Sequence, residues 1–439
     1  MTVVAIVFFT VLAWLVFYLG WRKSSQSYVV LGCGLLAIAA HQLLSALNAI
    51  YGPFPFAELD AYSFHLHGIQ RVEMPETNVW TIGSGIYKSM LASVYSVFGI
   101  SLWLGQTFSI VFFGLAAAFF CLFASRLQLS DRSLAIALLV FGLLPSSLLY
   151  GSFTLRETFM TAFFILGAYA GFWAIQATNR RQQWILCFWA LVAFLLMGLL
   201  HMVLLVYAIV ASALLCFILY AQQASWQRAT LQICALVAVV GILLLLMKEF
   251  LPVNLADNYF AMTRIQIEGK VVPIPHAISI YHQTANASGA STQYDAALEF
   301  TTWGRMLFVF AYSYIFYMGW PVTGDYAELS TWVIMLEAVF RLLGVIAMLL
   351  LARKNKQWYW LIMLYVSLTF LWNIGTSNHG QALRHHMMTE WILILALLSY
   401  LQNRFSLLLD ADFKKEFTES LNKEQNGKQF KQDEFPNIK

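Results

Sequence analysis

The chain is short of charge. Only 11% of its 439 residues are Asp, Glu, Lys or Arg, while 60% are hydrophobic; a soluble globular domain carries about 25% charged residues. That shortage excludes an ordinary water-soluble domain. The formal net charge is only +4, and the basic residues stand in short clusters beside apolar runs, a pattern that reports topology and not nucleic-acid binding. Cysteine is scarce too. Cys33, Cys121, Cys187, Cys216 and Cys234 all fall inside apolar stretches at spacings that match no metal motif, so they read as small core hydrophobes. There is no HExxH or HxxxH spacing, no internal repeat and no low-complexity tract. The first run, Thr2–Trp21, lacks a basic n-region and is followed by Arg22-Lys23, so it is expected to remain as a helix and not to be cleaved.

What the chain has in abundance is long apolar runs, each long enough to cross a hydrocarbon core of about 30 Å. They are too long and unbroken for barrel strands, which alternate over roughly 10 residues. The expected fold is all-α, a polytopic transmembrane bundle of about eleven spans: Thr2–Trp21, Tyr28–Ile50, Ser101–Ser125, Leu134–Tyr150, Thr158–Ala177, Trp184–Leu200, Met202–Ala221, Thr230–Met247, Thr331–Leu351, Trp358–Trp372 and Glu390–Leu401. Gly85–Gly99 reads as a helix lying on the outer surface, and Arg305–Trp320 as re-entrant or interfacial. Residues 1–402 form the membrane domain, with outer loops at 51–84, 150–157, 248–330 and 373–387; residues 403–439 form a charged, partly disordered tail.

On this count Arg22-Lys23, Arg126 with Arg132, Arg180-Arg181, Arg228 and Arg353-Lys354 with Lys356 fall on one side. The positive-inside rule makes that side cytoplasmic, with the N-terminus outside and the tail inside. The polar loops then collect on the outer face, and function is expected there. The loop 248–302, rich in Ala, Ser, Thr and Asn around Gln283–Gln293, reads as a lid or binding segment.

Three groups of residues could do chemistry. The first is Glu58, Asp60, His65, His67 and Arg71. A carboxylate at the water–membrane boundary can take a proton from an acceptor hydroxyl, and a nearby imidazole can tune or relay it; the bland alternative is a merely polar loop turned by Pro53 and Pro55. The second is Arg156-Glu157. A charge at membrane depth costs about 2.5 to 3.5 kcal/mol, so the pair is either a local ion pair or a phosphate grip through the planar guanidinium. The third runs from Asn373 to His386. Gly375 and Gly380 allow a tight backbone there, and Asn378, His379, Arg384, His385 and His386 supply donors for phosphate or sugar oxygens. Three histidines invite a metal reading with Asp60 or Glu157 as a further ligand, but adjacent histidines cannot share a helix face, so no metal or other cofactor is expected. His41 and His201, lone among apolar residues, read as satisfied core groups.

The order of these pieces carries a resemblance. An acidic first outer loop is followed by Gly83-Ser-Gly-Ile-Tyr87, Leu91–Gly99, Leu144–Tyr150, the Leu155-Arg156-Glu157 turn and a late Gly-Thr…Leu-Arg-His-His stretch. Over roughly Phe54–Tyr400 this resembles bacterial GT-C-type membrane glycosyltransferases, the group that includes protein O-mannosyltransferase-like and aminoarabinose-transferase-like enzymes. It is similar above all to those of exopolysaccharide and O-antigen assembly, polymerases included. The resemblance implies a bacterial inner-membrane transferase that takes a sugar or an oligosaccharide repeat from a polyprenyl-phosphate or -diphosphate donor to a glycan or lipid acceptor. Membrane lipids and other polysaccharide-assembly proteins would be its partners. Asp60 would be the base, with Glu58 and His65 beside it. Arg156 and Arg384 would bind the lipid phosphate, joined by Glu157, His385, His379, Arg71 and His67. Inversion at the anomeric carbon is expected. Two features depart from the pattern: Leu59 separates Glu58 from Asp60, where many relatives have adjacent acids, and no folded outer domain follows the last span.

Two other classes stay open. A transporter or flippase of lipid-linked sugars predicts ionisable residues buried mid-span, whereas here they are read as crowding at the outer ends. An outward-facing acyltransferase or metal-dependent hydrolase would need a histidine-centred site.

Overall fold

A computed structural model of the chain describes residues 1–221 apart from 26, 53, 55–59 and 78–79, then 265–267, 270–272, 279, 303–318, 329–376 and 381–405. It is a helical membrane protein. Among the described residues seven helices are long and apolar enough to cross a membrane, and a bent pair brings the number to eight. Expected spans coincide with α1 (Thr2–Ser24), α2 (Tyr28–Tyr51), α5 (Leu102–Arg126), α8 (Glu157–Gln176), α9 (Arg180–Leu200), α10 (Met202–Ala221) and α12 (Leu329–Lys354). Thr230–Met247 lies outside the described residues.

Two expectations need correction. Leu134–Tyr150 is not one straight span but α6 (Asp131–Leu143) and α7 (Pro145–Ser152), bent by 58°. Pro145 occupies the first turn of α7 and holds Leu144 extended, because a residue before proline is pushed out of the helical region. Glu390–Leu401 is the middle of a longer helix, 381–405. The described residues are overwhelmingly helical, as expected, with one small antiparallel ribbon, Ile265–Ile267 with Lys270–Val272. α11 (Trp303–Tyr317) covers most of Arg305–Trp320, and Trp358–Trp372 lies in α13 (Trp358–Gly375).

Close packing follows from small residues. A Cβ on Gly114 would lie 2.6 Å from the Ala13 carbonyl oxygen, so α1 and α5 meet almost backbone to backbone, as helices in lipid do where glycine faces a neighbour. Phe113, Phe120 and Phe141 stack between α5 and α6. Val7, Phe8 and Val11 on α1, and Leu336, Leu342 and Leu343 on α12, are exposed; apolar residues exposed along whole helices fit a lipid-facing surface.

One end of the bundle is capped by α3 (Asp60–Glu73) lying on α4 (Ser84–Phe98). Phe64 meets Tyr87 edge-on at 5.2 Å, the Gly83 N–H donates to the Leu199 carbonyl at 2.8 Å, and Thr2 Oγ1 donates to the Phe98 carbonyl at 2.8 Å. Tyr87, Leu91 and Tyr95 of α4 are buried, so this helix is sandwiched between α3 and the spans.

The bundle interior holds a charged trio. Arg341 of α12 reaches Glu337 one turn away at 3.3 Å and Glu390 of the last helix at 3.1 Å, and all three are buried. The first turn of α7 completes the network: the Ser146 N–H donates to Glu337 and its hydroxyl to Glu390, both at 2.7 Å. Arg341 Nε also donates to the Met318 carbonyl after α11 at 3.3 Å. The bend at Pro145 therefore aims a positive helix N-terminus at two carboxylates. These residues correct the expectation that ionisable groups crowd only at the outer ends. Removing one member of a buried pair strands the other charge, at a cost of about 3–5 kcal/mol. Arg341→Ala and Glu390→Ala are each expected to lower stability by about that amount, and Glu337→Gln by less, in thermal unfolding of detergent-purified protein.

Candidate functional site

The capped end gathers charges from three distant segments. Arg384, near the start of the last helix, forms an ion pair through Nη1 with Asp60, the first residue of α3. Through Nε it donates at 2.5 Å to Glu157, the first residue of α8. Both carboxylates stand in the first turn of a helix, where the macrodipole favours negative charge. Their exposures differ: the Asp60 side chain is 63% exposed, Glu157 3% and Arg384 14%. The cluster is thus closed on its bundle side by Glu157 and open to solvent at Asp60.

More cations lie beside it. Arg156 donates through Nη1 to the Leu200 carbonyl at 2.8 Å and stands 5.7 Å from the Phe64 ring centre; Lys88 stands 5.9 Å from the same ring. Burial lowers the Lys88 ammonium below its ordinary value, and the charges of Arg71 and Arg156 push the same way, against the opposing pull of Asp60. Like charges held this close favour an anion among them. Lys88 was assigned only to an interfacial helix; its position four residues before Ala92 on the buried face of α4 gave no sign that Arg156 is a neighbour.

His201 corrects the sequence reading. It closes the turn between α9 and α10, packs edge-on against Trp372 at 4.8 Å, and its Nδ1 has no partner among the described residues. Burial, reinforced by Arg156 and Arg384, holds its imidazole well below the ordinary range, so it stands neutral beside two guanidinium groups. His41 is the satisfied core histidine expected, with Nε2 3.0 Å from the Gly142 carbonyl and Nδ1 3.1 Å from the Ser152 hydroxyl. Other buried polar atoms lack partners among the described residues: Glu157 Oε2 and the hydroxyls of Thr154, Thr158 and Ser147. Tyr150, on α7, lies within electrostatic reach of Arg384, Glu157 and Asp60, and of Glu337 in the interior trio.

The remaining expected residues divide. His65 bonds the Tyr95 hydroxyl through Nδ1 at 2.8 Å, and Arg71 donates to the Gly85 carbonyl at 2.8 Å and to Ser89; both hold α3 onto α4. His67 is exposed and bonds the Ser63 carbonyl of its own helix at 2.7 Å. His385 stacks on Trp372 at 4.0 Å with Nδ1 2.9 Å from the Thr376 hydroxyl, and His386 bonds the Tyr317 carbonyl. Among the described residues no three His, Cys, Asp or Glu side chains group as metal ligands. Glu58, His379 and most of the loop 248–302 lie outside the described residues.

The His65 contact is sensitive to acid. Burial lowers its imidazole below the ordinary 6.5, so the fold prefers the neutral ring. That contribution is complete above pH 6.5 and is lost as pH falls through the lowered value. The protection of α3 amides against hydrogen exchange, taken relative to the intrinsic rate at each pH, is expected to fall on acidification below neutrality, and His65→Gln to flatten that dependence. Comparison of the chain with family models, with curated proteins and with solved structures finds no match.

Proposed function

We propose that the chain is a membrane glycosyltransferase that moves a sugar, or an oligosaccharide repeat, from a polyprenyl-phosphate or -diphosphate donor to a hydroxyl acceptor in bacterial envelope or exopolysaccharide synthesis. The observation that carries this reading is the convergence of Asp60 and Glu157 on Arg384 at one end of an apolar bundle. A solvent-reached carboxylate, a guanidinium and flanking cations are the groups such a transfer requires. Asp60 takes the proton of the acceptor hydroxyl as its oxygen bonds to the anomeric carbon. The bond from that carbon to the phosphate oxygen breaks, and its electrons leave with the lipid phosphate. Arg384, Arg156 and Lys88 stabilise that departing charge, which is where fixed donors contribute most. GT-C-type architecture, the inner-membrane location and an outward-facing site belong to this same proposal.

A second reading, a transporter of lipid-linked sugars, is favoured by one observation: Glu337, Arg341 and Glu390 are buried in the bundle, as groups on a translocation path are. Vesicles reconstituted with the full chain and a labelled polyprenyl-phosphate sugar separate the two. Transfer of label to the acceptor supports the transferase; movement of intact lipid-linked sugar across the bilayer, with no covalent change, supports the transporter and overturns our reading. In the transfer assay Asp60→Asn is expected to slow turnover by about 10² to 10⁴-fold, and removing the Arg156 donor by Arg156→Ala by about 10². Full activity of a folded Asp60→Asn protein would remove Asp60 from the mechanism.

A further inference from the structure

The opposite end of the bundle contains a second charged recess. Glu157 opens α8 and Gln176 closes it, while Arg384 and Gln402 lie 18 residues apart (402 minus 384) on the last helix, a rise of about 27 Å. Both helices therefore run from the Arg384 cluster to the far end. There Gln176 and Gln402 line a cavity of about 400 Å³ together with Arg126, Lys354 and Ser399, a size typical of small-molecule sites of about 300–1,000 Å³. Among the described residues no carboxylate lines it.

Its walls are braced. Gln176 donates to Gln357 at 3.0 Å, and Gln402 donates to the Gln128 carbonyl at 3.1 Å while accepting from the Ser130 N–H at 2.7 Å. The guanidinium of Arg126 lies 4.8 Å from the centre of the Trp173 ring. Neither Arg126 nor Lys354 forms an ion pair among the described residues. Ser399 is buried, 7% exposed, and its hydroxyl has no partner among the described residues. Arg126 and Lys354 end α5 and α12, where the helix dipole favours cations. That accounts for their sign, but not for the space between them or for the buried hydroxyl lining it.

A second cavity of about 240 Å³ adjoins the first. It shares Leu351, Lys354 and Asn403 and is walled by Leu350 and Tyr400, with Arg353 and Arg404 alongside. A polar recess with two cations, opening at Lys354 into an apolar one, matches an amphiphile that carries phosphate. We propose that the paired cavities bind one anionic phospholipid, its headgroup phosphate between Arg126 and Lys354 and the start of its acyl chains along Leu350, Leu351 and Tyr400. Basic pockets between membrane helices hold anionic headgroups in this way. A soluble phosphate compound would share the polar recess but leave the apolar one unused.

The test uses the full chain in nanodiscs of phosphatidylcholine with a minor fraction of phosphatidylglycerol, followed by native mass spectrometry. One retained phosphatidylglycerol per chain is expected. Retention should be weaker by about tenfold or more in Lys354→Ala and Lys354→Glu, kept in Lys354→Arg, and unchanged in Arg181→Ala. Lys354 is exposed, so these variants are expected to fold as the parent does. Equal retention of phosphatidylcholine, or full retention by Lys354→Glu, overturns the proposal. So does displacement of phosphatidylglycerol by millimolar inorganic phosphate, which would assign the recess to a soluble anion.

Discussion

A guanidinium set among apolar helices is tolerable only if carboxylates meet it, and Arg384 is met by two. That requirement joins the start of α3, the start of α8 and the start of the last helix, although Asp60 and Arg384 are 324 residues apart and Glu157 and Arg384 are 227. The same rule operates again deeper in the bundle, where Arg341 draws Glu337 and Glu390 together and α7 turns its first N–H toward them. Two cations thus fix the relative positions of five helices. Apolar packing fills the volume between them, but in lipid it has little preference for one neighbour over another.

The helices were readable because hydrophobic runs in a membrane protein follow directly from bilayer thickness. α1, α2, α5, α8, α9 and α10 lie where those runs put them. The break at Leu144 was also visible in principle, since Pro145 restrains the residue before it, yet the apolar run passes through it without interruption. Glu337 and Arg341 stood in plain view within Thr331–Leu351, four residues apart on one helix face.

At the capped end, rarity was the useful signal. In a chain this poor in charge, Asp60, Arg156, Glu157 and Arg384 stand out before any fold is known. Their pairing was not readable, because which carboxylate meets which arginine depends on how the helices assemble. Histidines misled for a related reason: composition cannot tell a ring that braces two helices, such as His65 or His385, from one that lies beside the arginines, such as His201. The convergence on Arg384 gives Asp60 and Glu157 a common location.

The bridging side chains also have an order in time. A ribosome delivers Glu157 to the membrane more than two hundred residues before Arg384, and Glu337 and Arg341, which can pair within one helix, about fifty residues before Glu390. Until the last helix enters the bilayer, Glu157 lacks the cation that neutralises it in the finished bundle. A polypeptide stopped short of residue 381 would carry Glu157 among its early helices without the guanidinium that meets it.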